Sequence, residues 1–188
     1  MFGRKIKNYS DEKLMQFIAS GDQQAFTQLY QRYQQRLYYY FFRMLGNSEE
    51  LANDFLQEVF LKIFEKPERF NPEYSFKTWV FSVAYNLCKN EYRRLEIRKD
   101  SPPLETELPP VLPQSISQEE LLSQIFASLD ELSTEHRSVF LMHYREGFAV
   151  KDIAKMLDIA PGTVKSRLFN TRKFLAGKFL YLKDEIEF

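Results

Sequence analysis

The sequence predicts an all-α fold, with two small helical domains joined by an acidic, proline-rich linker. Three observations carry this expectation. Apolar residues recur at threes and fours along most of the chain, the spacing of one face of a helix. No stretch alternates apolar and polar residues between turn signals, as strands do. Five of the eight prolines fall within residues 100–118, beside Glu105 and Glu107. That composition favours extended chain and cannot build a core. The expected division is residues 1–97, a linker at 98–118, and residues 119–188.

In the first domain, Ser10 is placed to cap a short helix, with Asp11 and Glu12 in its first turn, where the helix dipole favours negative charge. Leu14, Phe17 and Ile18 form its apolar stripe, and Gly21 ends it. Asp22 caps the second helix, lined by Ala25, Phe26, Leu29, Tyr30, Tyr33 and Leu37. Residues 38–42 are aromatic throughout, so that turn is expected to be buried on several sides. Gly46 terminates it, and Asn47 or Ser48 caps a third helix with Glu49 and Glu50 in its first turn. Leu51, Ala52, Phe55, Leu56, Val59, Phe60 and Ile63 line its inside. Pro67 and Pro72 bracket a loop, and Ser75 caps a fourth helix reaching about Arg94, with Trp79, Val80, Val83, Ala84 and Leu87 inward.

The second domain opens with a helix over residues 119–129. Ser133 is placed to cap the next, with Glu135 in its first turn and Val139, Phe140 and Met142 or His143 inward, and Gly147 breaks it. Residues 150–173, VKDIAKMLDIAPGTVKSRLFNTRK, then read as two short helices joined by a tight turn. Val150, Ile153, Ala154 and Leu157 share one face of the first. Ala154 is small where the two helices must cross, and Ile159 plugs the turn. Pro161 suits a helix start. Val164 and Leu168 point inward, which leaves Thr163, Lys165, Ser166, Arg167, Phe169, Asn170 and Arg172 facing out. A helix with an apolar side and a side of short polar, amide and basic residues fits a DNA major groove. The spacing is that of a helix-turn-helix; an ordinary helical hairpin is the alternative.

Composition bounds the function. No apolar run approaches the roughly 20 residues of a membrane span, and residues 1–10 are basic without a following apolar stretch, so neither membrane insertion nor a secretory signal is expected. The single cysteine, Cys88, can form no internal disulfide; it fits a reducing compartment and a core position. The formal net charge of zero hides segregation. From residue 100 to 135 every charge is negative, and from 165 to 178 every charge is positive.

Two further helices carry candidate surfaces. On the third, Asp54, Gln57, Glu58, Leu61 and Lys62 form an outward stripe, which could be no more than a solvated face. Glu50, Asp54 and Glu58 repeat every four residues, but a di-metal bundle needs Glu three residues before a His. Neither His136 nor His143 has one, so no metal or other cofactor is expected. There is no phosphate-binding glycine loop or nucleophile elbow, so an enzyme is not expected either. On the fourth helix, Tyr85, Asn86, Lys89, Asn90, Tyr92, Arg93 and Arg94 interleave aromatics with amides and bases. Stacking on aromatics is worth roughly 1–3 kcal/mol per base, enough to hold a few melted base pairs open.

DFLQEVFLKIF followed by SFKTWVFSVAYNLCKNEYRR resembles the second conserved region of bacterial sigma factors, and LSTEHRSVFLMHYREGFAVKDIAKMLDIAPGTVKSRL the fourth. With only a linker between them, the chain resembles the extracytoplasmic-function (ECF) group. The resemblance implies a cytoplasmic, non-enzymatic protein that binds core RNA polymerase at the clamp helices of its largest β-type subunit and at its flap. Such a protein directs transcription initiation at promoter DNA and answers to an anti-sigma factor, often membrane-bound. By resemblance, Asp54, Gln57 and Glu58, with Phe60 and Leu61 beside them, meet the clamp helices. Trp79 supports a loop at about residues 70–76 that holds a flipped minus-ten base next to Asn86. Lys89, Asn90, Arg93 and Arg94 contact nearby backbone. Thr163, Lys165, Ser166, Phe169 and Asn170 read or grip the minus-thirty-five element, and Arg167 and Arg172 serve phosphates. Asn170 stands where the family often has a basic residue, and an amide there could read an adenine. Asp158 replaces the common turn glycine, which Asp tolerates in a left-handed conformation. The linker is expected to thread toward the polymerase active-site cleft and RNA exit path.

Two other classes remain open to the sequence. A dimeric helix-turn-helix regulator with an N-terminal sensor domain would bind palindromic DNA without polymerase. An enzyme acting on flipped bases would need a metal cluster or a general base in a pocket.

Overall fold

The computed structural model describes residues 6–98 and 118–179. The expected linker at 98–118 therefore lies almost wholly outside the described residues. Among the described residues every regular element is helical. The first module holds α1 (Asp11–Ala19), α2 (Gln23–Met44), α3 (Glu49–Glu65) and α4 (Phe76–Arg98). The second holds α5 (Gln118–Ser128), α6 (Thr134–Phe140), α7 (Val150–Leu157) and α8 (Pro161–Lys178).

Local chemistry starts and stops these helices where the sequence places the signals. Ser10 accepts from Lys13 N–H, Asp22 from Gln24 and Ala25 N–H, and Ser48 from Leu51 N–H. The Ser75 hydroxyl accepts from Thr78 N–H at 3.1 Å. Each bond satisfies an amide that the first helical turn leaves without a partner. Glu12 adds a cap across the module, its carboxylate accepting from Phe76 N–H at 3.0 Å. Burial pushes the Glu12 carboxyl up; the bonds from Phe76 N–H, from its own N–H and from Ser10 outweigh this and hold it below the usual carboxylate value. Ser133 departs from expectation. It sits at the N-cap of α6 but bonds no backbone amide, and its hydroxyl meets His136 Nδ1 instead. After α6 the chain widens into a π-helical turn at Leu141–Arg145, which brings Leu141 and Met142 into the core.

The core of the first module runs between α2, α3 and α4 through Leu29, Leu37, Phe41, Leu56, Val59, Ile63, Phe76 and Val80. Phe60 belongs to it as well, packed against Phe26 and Tyr30. Within residues 38–42, Tyr40 and Phe41 are fully buried, Tyr38 and Phe42 are half-buried and Tyr39 reaches solvent. Phe41 faces its own module, against Phe55. Tyr40 faces the other one: its hydroxyl is 2.8 Å from Ser138 Oγ, with both groups buried.

That contact belongs to an extensive junction, so the two modules are docked rather than held apart on a tether. Phe81 of α4 lies between Tyr40 and Phe148 at ring separations of 5.5 and 5.3 Å. Ser82 donates to the Met156 carbonyl of α7. Arg137, nearly fully buried, ties its own module together through the carbonyls of Leu129 and Asp130. It also reaches across to the carbonyls of Arg43 and Met44 and to the Tyr92 hydroxyl. Burying each such aromatic contributes about 1.5–3 kcal/mol, and Arg137 supplies donors to four main-chain carbonyls there, those of Leu129, Asp130, Arg43 and Met44.

Candidate nucleic-acid interface

The helix-turn-helix takes its shape from the seam between α7 and α8. Ile153, Ala154, Met156 and Leu157 of α7 pack on Val164 and Leu168 of α8. Asp158 caps α7 in the left-handed region (φ 53°, ψ 53°), a conformation that Asp adopts more readily than most residues. This matches the expectation for its place in the turn. The bond from Ile159 N–H to the Ala154 carbonyl closes that turn.

Helix α8 then begins without a side-chain cap: Ala160 is the N-cap and Pro161 follows. A Cβ at Gly162 would meet open space, so backbone amides and the positive end of the helix dipole face solvent unobstructed. Such a helix start accepts a phosphate. Beyond it Thr163, Lys165, Ser166, Phe169, Asn170 and Arg172 are exposed and Arg167 is half-buried. Phe169 is 59% exposed, unusual for an aromatic unless it contacts something apolar such as a thymine methyl.

Helix α4 offers a second basic strip. Asn86, Asn90, Arg93 and Arg94 are exposed and Lys89 is half-buried. They recur at threes and fours, so one face carries all five. The Lys89 ammonium lies 5.9 Å from the Tyr85 ring, and Arg94 pairs with buried Glu91 at 2.6 Å. The loop before α4 is built on Phe70, which packs on Phe76 and Trp79. Trp79 is half-buried there and supports the loop, as expected. Tyr74, at the loop tip, is 45% exposed. An aromatic beside Asn71, Pro72 and Glu73 has little core to join, a local signal of its exposure.

Two aromatics expected among this strip are placed elsewhere. Tyr85 is buried against the second module, and Tyr92 donates its hydroxyl to the Met44 carbonyl. Burial raises the Tyr85 hydroxyl above its ordinary value; Glu135 adds to this, and Arg167 and Arg93 oppose it. Their period along α4 is the same whether they face bases or a neighbouring helix.

The acidic stripe on α3 is a separate surface. Asp54 and Gln57 are exposed, and Glu58 is half-buried with Lys62 at 2.6 Å. Leu61 is 53% exposed, but Phe60 is only 4% exposed and points into the core. The structure therefore removes Phe60 from this surface, because its ring fills the gap between α2 and α3. Its place is taken by Phe64, 55% exposed and edge-on to Phe26. Phe64 follows Leu61 by three residues, a signal that the sequence already carried.

Cys88 is fully buried, and burial pushes its thiol well above the ordinary range. His143 donates from Nδ1 to the Phe148 carbonyl. Among the described residues no three metal-ligating side chains cluster, and no helix is long and apolar enough to cross a membrane.

Comparison with known proteins places this geometry. Sigma-70 region 2 matches residues 29–97, and sigma-70 region 4 matches residues 122–175. The chain is 30% identical over 177 residues to the ECF RNA polymerase sigma factor SigM of Mycobacterium tuberculosis, covering 94% of this chain and 88% of that one. It is 28% identical to the ECF RNA polymerase sigma-E factor of Haemophilus influenzae, covering 90% and 95%. Its fold resembles the sigma factor RpoE solved in complex with the anti-sigma factor NepR from Bartonella quintana (TM-score 0.66, 22% identity, 84% of this chain and 98% of that one).

Proposed function

The chain belongs to the ECF RNA polymerase sigma factors, and from that premise we propose how its surfaces divide the work of promoter-directed transcription initiation. Residues 1–97 bind core RNA polymerase and the minus-ten element, residues 119–188 bind the minus-thirty-five element, and residues 98–118 connect them. The α3 surface of Asp54, Gln57, Glu58 and Leu61, with Phe64 in place of Phe60, docks on the clamp helices of the largest β-type subunit. Exposed leucine and phenylalanine rimmed by carboxylate and amide suit a protein partner better than solvent.

On DNA, Lys165, Ser166, Phe169 and Asn170 read base edges, while Thr163, Arg167, Arg172 and the amides at the start of α8 hold phosphates. At the minus-ten element, Asn86 meets an unstacked base presented by the loop at residues 70–76. Lys89, Asn90, Arg93 and Arg94 track the backbone beside it. Few phosphates are neutralised by a chain of zero net charge, so binding to free DNA is weak until the polymerase supplies the rest of the contact. The site of action is the cytoplasm, and an anti-sigma factor is the expected regulator.

The observation that carries this reading is the pairing of two surfaces on one chain: an exposed reading helix in a helix-turn-helix, and the apolar–acidic patch on α3, which a self-sufficient DNA-binding protein does not need. The test is capture by core polymerase followed by run-off transcription. The parent chain is expected to be captured and to start transcripts at a defined site, and an Asp54→Ala/Gln57→Ala chain to lose both. Tight binding to a palindromic duplex without polymerase would favour the dimeric regulator instead.

A further inference from the structure

Asparagine is poorly suited to a helix surface, because its amide competes with the backbone for hydrogen bonds. Four asparagines lie inside α-helices of the described residues. Asn53 resolves the conflict by donating to the Glu49 carbonyl one turn back, at 2.9 Å. Asn86, Asn90 and Asn170 are exposed and bond to no partner among the described residues. Two of these belong to the α4 strip. The third, Asn170, stands mid-way along α8, between Pro161 and Lys178, so it caps neither end. An alanine there would make a better helix.

The geometry of α8 aims this amide outward. Buried Val164, Leu168 and Thr171 fix the inward side. At about 100° per residue, Ser166 leads the opposite side, and Phe169 and Asn170 follow one turn on, to either side of that line. Gly162 and Ser166 carry little bulk on the same line, so the helix axis can come close to a groove floor there. No carboxylate occurs between Pro161 and Lys178, so no side chain of the helix competes for the amide N–H.

The side chains exposed along this face differ in what they can distinguish. Lys165, Arg172 and Lys173 present donors only, which suit phosphate oxygens and guanine alike. The Thr163 and Ser166 hydroxyls turn to donate or to accept, and so fit any base. Asn170 holds a donor and an acceptor side by side. In the major groove only adenine offers the matching pair, an N7 acceptor beside the N6 donor. Guanine would set its O6 against the amide oxygen, acceptor against acceptor. Phe169, the neighbouring residue, offers apolar contact to a thymine methyl, so both adjacent side chains favour A·T pairs.

We propose that Asn170 is a specificity-determining residue, which pairs through both polar atoms of its amide with one adenine of the minus-thirty-five element. This rests on the sigma-factor reading above and adds to it the identity of a base. A basic residue at this place would take guanine or phosphate, so the amide narrows the set of promoters that the chain accepts.

The test selects promoters with the full-length chain and core polymerase from a library randomised over the minus-thirty-five element, then measures run-off transcription from those selected. One position is expected to require adenine. Placing 7-deazaadenine there, which lacks the N7 acceptor, should lower product about fivefold or more. Asn170→Ala should lose this sensitivity and accept all four bases at that position, with the preferences at other positions unchanged. A uniform fall in product with every preference intact would overturn the proposal, as would a parent chain indifferent to 7-deazaadenine throughout the element. Asn170→Arg supplies a second variant. Its adenine preference should vanish, and the salt dependence of promoter binding should steepen by about one counterion; an adenine preference that survives the arginine also sinks the proposal. If the parent chain starts no transcripts from any library member, the sigma-factor reading itself falls and takes the proposal with it.

Discussion

Helices α4 and α8 are the two candidate readers of nucleic acid, and the fold surrounds them differently. Helix α8 buries Val164, Leu168 and Thr171 on one side and leaves the other to solvent. Helix α4 buries Phe76, Val80 and Ala84 in its own module and turns Phe81 and Tyr85 toward the second. Among its described side chains Asn86, Asn90, Arg93, Arg94 and Leu95 are exposed. A helix packed on one side declares its free face in its period. A helix packed on two sides does not, because aromatics that meet a partner module follow the same spacing as aromatics that meet bases.

Substitutions can break or sharpen this contrast. The largest effect is expected at Phe81. It is fully buried between Tyr40 and Phe148, so Phe81→Ala should cost about 3–5 kcal/mol of stability, read from the denaturant midpoint. Phe169→Ala on α8, also an aromatic truncation, should change stability by less than about 0.5 kcal/mol while weakening promoter binding. Equal destabilisation by the two would erase the distinction between the helices. Next is Lys165→Ala, expected to weaken minus-thirty-five recognition by about 1–3 kcal/mol if it touches a base. Its unfolding midpoint should stay put, and an unchanged promoter preference in footprinting would show that the reading face is misassigned.

The helix starts give a smaller contrast. Ser75→Ala removes the α4 cap and should lower stability by about 0.5–2 kcal/mol. Ala160→Asp supplies α8 with a missing cap and should raise stability by a similar amount, yet it sets a carboxylate where a phosphate is expected. A variant that is more stable but poorer at the promoter would separate structural from functional needs; one that gains both would argue against a phosphate there. The smallest effect concerns pH. The Glu12 carboxyl is held below its ordinary value by its bond from Phe76 N–H, among others. Its stabilisation is complete above the unfolded carboxylate value and fades as pH falls through the lowered folded one. Glu12→Gln should therefore melt earlier than the parent at neutral pH and converge with it in acid.

The sequence by itself determined the helices, the caps at Ser10, Asp22, Ser48 and Ser75, the turn at Asp158, the outward face of α8 and the stripe at Asp54 and Gln57. Each is settled by residues within a turn or two of one another, where helical period and capping chemistry act. Even Phe64 was within reach of that reasoning, as a continuation of the step from Leu61. Only the tertiary structure decided that Phe60 fills the core, that Tyr85 and Tyr92 turn from the reading strip, and that Arg36 finds Glu146, 110 residues away. An aromatic or a charge carries no mark of its partner in its local neighbours. Which surface it meets depends on how whole helices pack, and that choice rests on the summed burial of Tyr40, Phe81 and Phe148 at a seam drawn from distant parts of the chain.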